Sequence, residues 1–131
     1  MKKVFLGGTV DSKWRDVLIP KLKIDYFNPL VDDWTEDDYQ EELKQREICD
    51  YCLYVITPRM TGVYSIAEVI DDSNKRPDKT LFLFVEADGK KTFEESQIKS
   101  LKKVAQMIVD NGAKYFESFQ DLIKFLNETD K

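Results

Sequence analysis

The sequence predicts an α/β fold wound around a parallel sheet, and three observations carry the prediction. Short apolar runs alternate with segments of helical period from one end of the chain to the other. Three of those runs, residues 3–8, 51–58 and 79–86, are continuously apolar rather than alternating, as strands covered on both faces are. The length, 131 residues, suffices for one buried core, and no linker is long enough to divide it. Five strands joined through helices by right-handed crossovers give a doubly wound five-stranded parallel sheet in three α/β/α layers. That is the flavodoxin-like, Rossmann-like arrangement, with strand order 2-1-3-4-5 and a single domain over residues 1–131.

The first strand, "KVFLGG" at residues 3–8, ends on two glycines, and the helix after it carries Trp14, Val17, Leu18 and Leu22 on one face. "KIDYFNP" at residues 23–29 is the second strand. Residues 35–47 are helical by propensity, with Thr35 as N-cap. Their apolar face is thin, Tyr39 and Leu43 being its main members, which fits a helix at the sheet edge or against a second subunit. The third strand is "YCLYVITP", residues 51–58. In the helix starting near Gly62, period alone turns Val63, Ile66, Ala67 and Ile70 to the sheet and leaves Glu68 off that stripe. "KTLFLFVE", residues 79–86, is the fourth strand, and "EADGKK" reads as a loop. Ile98, Leu101, Val104, Ala105, Ile108 and Val109 form the strongest stripe, closed by "NGA" as a C-cap. A weaker strand, residues 113–118, and a helix bearing Phe119, Leu122, Ile123 and Leu126 complete the pattern.

Composition narrows the chemistry. Formal net charge is −5 with no basic stripe, which argues against a nucleic-acid polymer as partner. Histidine is absent, so Ser–His and Cys–His nucleophile pairs and His-containing zinc sites are excluded. Carboxylates, Lys, Tyr or Cys must supply any acid–base or covalent step. Cys49 and Cys52 form C-x-x-C, but "CDYC" leads into a strand, the reverse of the redox order, and no further zinc ligands cluster nearby. They read as buried thiols in a reducing compartment. "MKKVFLGGTV" lacks the apolar length of a signal peptide, and no run approaches a membrane span, so a cytoplasmic protein without membrane association is expected. No metal and no cofactor are expected.

Ligands of open parallel sheets bind beyond the carboxyl ends of the strands, where strand order reverses. Here that point lies between the first and third strands. The loops beside it are "GGTVDSKWR" and "TPRMTGVYS", with "NPLVDDW" as a flanking wall. Gly7 and Gly8 allow close backbone approach, and Thr9 adds a hydroxyl. The loop is neither G-x-G-x-x-G nor a P-loop, which argues against a dinucleotide or triphosphate. The flanking wall offers Asn28, Asp32 and Asp33 beside Trp34. Asp50, just before the third strand, fits a cap or turn as well as a catalyst, and Asp11 fits a turn. Glu68 sits in the first two turns of the helix that flanks the cleft, whose N-terminus favours an ionised carboxylate.

In this order and spacing the residues resemble the nucleoside 2-deoxyribosyltransferase-like family. The resemblance covers about the first 85 residues. It rests on a strand ending "FLGGT", "WR" opening a helix, "FNP" with "DDW", an Asp before the third strand, and "S-x-A-E" in the next helix. It implies a flavodoxin-like sheet and homodimers or higher homo-oligomers whose sites borrow residues from a neighbouring subunit. It also implies cleavage of a nucleoside or nucleotide N-glycosidic bond, or 2-deoxyribosyl transfer, through a covalent sugar–Glu intermediate. On that resemblance Glu68 is the nucleophile, with Asp50 or Asp33 assisting proton transfer. Gly7, Gly8, Thr9 and Ser65 hold sugar or phosphate, and Trp14, Arg15 and Asn28 complete the substrate-binding set. Arg15 or Arg59 would meet a phosphate where the substrate carries one. The chain departs from the family where its transferases carry an Asp six residues before the Glu, here Gly62, and a Gly two residues after it, here Ile70. The alternative that follows is a non-catalytic module that binds or senses a nucleotide.

Overall fold

The computed structural model describes residues 1–128; the last three residues of the domain read from the sequence, 129–131, lie outside the described residues. In chain order the elements are β1 (Lys3–Gly8), α1 (Trp14–Leu18), β2 (Asp25–Phe27), α2 (Glu36–Ile48), β3 (Tyr51–Ile56), α3 (Tyr64–Lys75), β4 (Thr80–Phe84), β5 (Ala87–Asp88), β6 (Lys91–Thr92), α4 (Glu95–Asp110), β7 (Lys114–Phe116) and α5 (Phe119–Glu128). The main sheet has five strands, all parallel, in the order β2-β1-β3-β4-β7. With β7 as the fifth strand of the sequence pattern, this is the 2-1-3-4-5 order.

Alternation along the buried strands feeds two cores. Phe5, Cys52, Tyr54, Ile56, Phe82 and Phe84 face the layer of α3 and α4, meeting Val69, Leu101, Ala105 and Ile108. Val4, Leu6, Leu53, Val55, Leu81 and Leu83 face the layer of α1 and α5, meeting Trp14, Leu18, Leu122 and Leu126. Helices on both faces leave β1, β3 and β4 no wet side, hence their unbroken apolar runs.

Helix ends follow local chemistry. Thr35 caps α2 in a capping box: its Oγ1 accepts from the Asp38 N–H and the Asp38 carboxylate accepts from the Thr35 N–H. Gly112, at φ +100°, closes α4, with its N–H on Val109 O and the Ala113 N–H on Ile108 O, a Schellman pattern.

Four readings are corrected. Val17 is exposed, because α1 is only five residues long and turns Arg15 inward with Trp14 and Leu18. Val63 and Ala67 are exposed; the inner face of α3 runs instead through Val69, Asp72 and Ser73, with Ile66 and Ile70 partly buried. Val109 at the end of the α4 stripe is exposed as well. The "EADGKK" loop is a small antiparallel hairpin, β5–β6, turning at Gly89 with φ +63°. Its Asp88 accepts from the Ser12 hydroxyl at 2.6 Å and pairs with Arg59 at 3.6 Å, tying the hairpin to the loops after β1 and β3.

Candidate functional site

A cleft of about 770 Å³ opens at the carboxyl ends of β1 and β3. Its floor is Phe5 and the Gly7–Gly8–Thr9 turn; α2 contributes Tyr39 and Glu42, and α3 contributes Tyr64, Ser65 and Glu68. Pro29, Leu30, Val31 and Trp34, from the segment between β2 and α2, form an apolar side wall.

The rotation of α3 that exposes Val63 and Ala67 brings Glu68 inward, to a side chain 11% exposed. The cause is polar. Asp72, one turn further on, is fully buried and accepts from Tyr54 Oη at 2.6 Å and Arg46 Nη2 at 2.9 Å, with Arg76 as a further partner. A buried carboxylate with three donors fixes the helix about its axis more firmly than apolar period does. Arg46 rises from α2 and lies 3.6 Å from Glu68 through Nη1. Burial alone would lower the Arg46 pKa, but the Asp72 hydrogen bond and the surrounding negative charges raise it, so the guanidinium is permanently charged.

Burial pushes the Glu68 carboxyl up to about 7; Arg46 opposes that rise, while Glu42 and Asp72 add to it. Glu42 is raised too, by burial first, against a hydrogen bond of 2.8 Å from the Trp34 indole N–H and the charge of Arg46. Two carboxyls from facing helices therefore share one cleft, both with elevated pKa values.

The remaining sequence candidates separate into two groups. Gly7, Gly8, Thr9, Arg15 and Ser65 line the cleft with Glu68, as does Arg59. The glycines serve packing: a Cβ at Gly7 would lie 2.6 Å from the Tyr54 ring, and one at Gly8, where φ is +119°, would lie 2.0 Å from Val55 O. Thr9 bridges loops, its N–H donating to Val55 O and its Oγ1 accepting from the Thr57 N–H, both at 2.9 Å. Arg15, 2% exposed, donates to Leu6 O and Thr9 O and stacks 4.3 Å from the Trp14 ring; burial pulls it down to about 10, still a cation at neutral pH. Its guanidinium thus holds the turn after β1 together.

The other four do not line the cleft. Trp14 is buried beneath it, its indole N–H donating to Thr9 O at 2.9 Å. Asn28 is exposed and accepts from the Leu30 N–H, shaping the turn that carries Leu30 and Val31. Asp33 is exposed, like Asp32, while the neighbouring Trp34 turns its ring in. Asp50 precedes β3, at the opposite end of the strands, where its carboxylate accepts from the Lys3 N–H at 2.8 Å. Asp50 thus lies at the end of the sheet away from Glu68, and Asp33 is not among the residues lining the cleft.

Sequence reasoning missed Glu42 and Arg46 as site residues. The available signal was the thin apolar face of α2. Its buried residues are Gln45 and Arg46, and its cleft residues are Tyr39 and Glu42, so the inward face is polar by construction. Among the described residues no group of three or more Cys, Asp or Glu is placed to hold a metal ion, and no helix is long and apolar enough to cross a membrane.

The fold and cleft define a doubly wound α/β protein with a concave site at its topological switch point. No family model matches the chain, and no curated protein matches it.

Proposed function

We propose that this protein cleaves the N-glycosidic bond of a nucleoside or nucleotide, releasing the base to water or passing the 2-deoxyribosyl group to another base. The observation that carries the reading is that Glu68 and Glu42 line one cleft with aromatic walls, with Arg46 of α2 3.6 Å from Glu68.

The ionised Glu68 attacks C1′ of the sugar. As the C1′–O bond forms, the C1′–N bond breaks through an oxocarbenium-like state, and the bonding pair leaves with the base. Glu42 in its acid form delivers a proton to the departing nitrogen. Water or a second base then attacks C1′, Glu42 takes the proton of that nucleophile, and the Glu68 carboxylate is released. Phe5, Trp34, Tyr39 and Tyr64 offer flat apolar surface for a base, and the volume is that of an ordinary small-molecule site. The free buried thiols Cys49 and Cys52 fit a reducing compartment such as the cytoplasm.

The test is incubation with a panel of nucleosides, deoxynucleosides and their 5′-monophosphates, followed by detection of free base. Base release that vanishes in Glu68→Gln supports the reading, as does a sugar adduct trapped on Glu68 with a slow 2′-fluoro substrate. Saturable binding without release would favour the second reading, a nucleotide-binding module. That reading draws on Gly62, which supplies no acid where the family's transferases carry one.

A further inference from the structure

The group best placed to govern Glu68 is not itself in the cleft lining. Arg46 divides its guanidinium among three carboxylates: Nε and Nη2 donate to Asp72 at 3.2 and 2.9 Å, Nη2 also donates to Asp71 at 3.2 Å, and Nη1 faces Glu68 at 3.6 Å. We infer that Arg46 is the positioning residue of this site, orienting Glu68 and favouring its ionised form through a buried relay that runs from Tyr54 through Asp72. This deepens the proposed N-glycosidic chemistry and rests on it.

Three observations support the assignment. Arg46 is almost wholly buried, so its charge acts through little water. Asp72 and Asp71 leave Nη1 free for Glu68: Asp72 is shared with Arg76 and the Tyr54 hydroxyl, and Asp71, partly exposed on α3, meets Nη2 and is shared with Lys75. Tyr54 is in turn fixed by the absence of a side chain at Gly7, which leaves room for its ring. Burial first, then the charges of Asp72 and Glu68, push the Tyr54 hydroxyl well above its ordinary value, so it remains a donor. The groups that bear on Glu68 are Arg46 and Glu42 from α2, Tyr64 and Asp72 from α3, and Tyr54 from β3; Asp71 of α3 acts through Arg46, and Arg15 and Arg59 line the same cleft. The charge of Arg46 favours the ionised Glu68 carboxylate and acts against burial.

The experiment is a carbon-13 carboxyl titration of the free protein, with the Glu68 resonance assigned by its loss in Glu68→Gln. In Arg46→Met the Glu68 midpoint rises by about one pH unit or more. Arg46→Lys, which keeps a cation against Asp72 but lacks the fork, raises it by a smaller resolved amount and carries the test if Arg46→Met fails to fold. In turnover, Arg46→Lys shifts the pH–rate profile to higher pH and lowers kcat by up to about 100-fold with little change in KM. A Glu68 midpoint unmoved in a folded Arg46 variant overturns the inference, whether or not the protein turns over. Absence of base release by the wild-type protein overturns the proposed function alone, because the titration needs no substrate.

Discussion

The Tyr54 ring fills the space that a side chain at Gly7 would need, and its hydroxyl donates to Asp72 at 2.6 Å. A glycine in the cleft floor is thereby linked to the buried charge network behind Glu68. Gly8 is equally constrained, by φ +119° and by the backbone of Val55.

Gly8→Ala is expected to be the most damaging small substitution in the cleft. Its Cβ would overlap a main-chain oxygen that belongs to the sheet ladder, so relief requires separating β1 from β3. Chemical denaturation should show a loss of about 3 kcal/mol or more. Gly7→Ala should cost less, because the clash is with a side chain, yet it should displace Tyr54 and move the Glu68 midpoint.

Glu68→Gln should stabilise the fold, and only above mildly acidic pH. The carboxyl ionises near 4.5 in the unfolded chain and near 7 in the fold. Between those values the native state holds the extra proton, so its contribution is intact below 4.5 and is lost as pH rises through 7. The neutral amide escapes that loss, worth about 3 kcal/mol at most once Glu68 is fully ionised. Thermal melts should show Glu68→Gln above wild type at pH 8 and level with it at pH 4.5.

Base release should follow a bell-shaped pH profile. The rising limb marks loss of the first proton of the Glu68 and Glu42 pair, and the falling limb, near 7, marks loss of its second. Glu42→Gln should abolish the proton-dependent limb and lower kcat by about 100-fold or more on substrates with poor leaving bases. Substrates whose base departs without protonation should be spared.

Asp88→Asn should loosen the β5–β6 hairpin. Burial would raise the Asp88 carboxyl, but hydrogen bonds from Ser12 and Thr57 and the charge of Arg59 hold it below its ordinary 3.8. Its contribution is therefore present above pH 3.8 and lost as pH falls below that value. Amide exchange of the 87–92 hairpin should accelerate in Asp88→Asn at neutral pH, while the sheet core stays protected.

Gly62→Asp should fold normally. Nothing lies within 4 Å of a Cβ built there, and the position lines the cleft. Stability should stay within about 0.5 kcal/mol of wild type. On the proposed reading, the added acid should change which base is released or accepted, measured as a ratio of kcat/KM between purine and pyrimidine substrates.

Much of the architecture was decided by sequence alone. Continuous apolar strands define a sheet covered on both sides, Thr35 starts α2 and the Asn111–Gly112 pair ends α4; each depends on neighbours a few positions away. Glu68 was legible as a candidate because it lies in the helix beside the strand-order reversal. The tertiary structure alone decided how the cleft is built. Period assigned the face of α3 to Val63 and Ala67, but one buried carboxylate, Asp72, outweighed it, since leaving that charge unpaired costs more than exposing two small apolar groups. Asp50 went to the far end of the sheet, and Glu42 took the place facing Glu68. Arg46 reached Asp72 across 26 positions. Local propensity and periodicity act over a turn or two of chain, whereas charge pairing across α2 and α3 exists only after the crossover brings those helices together.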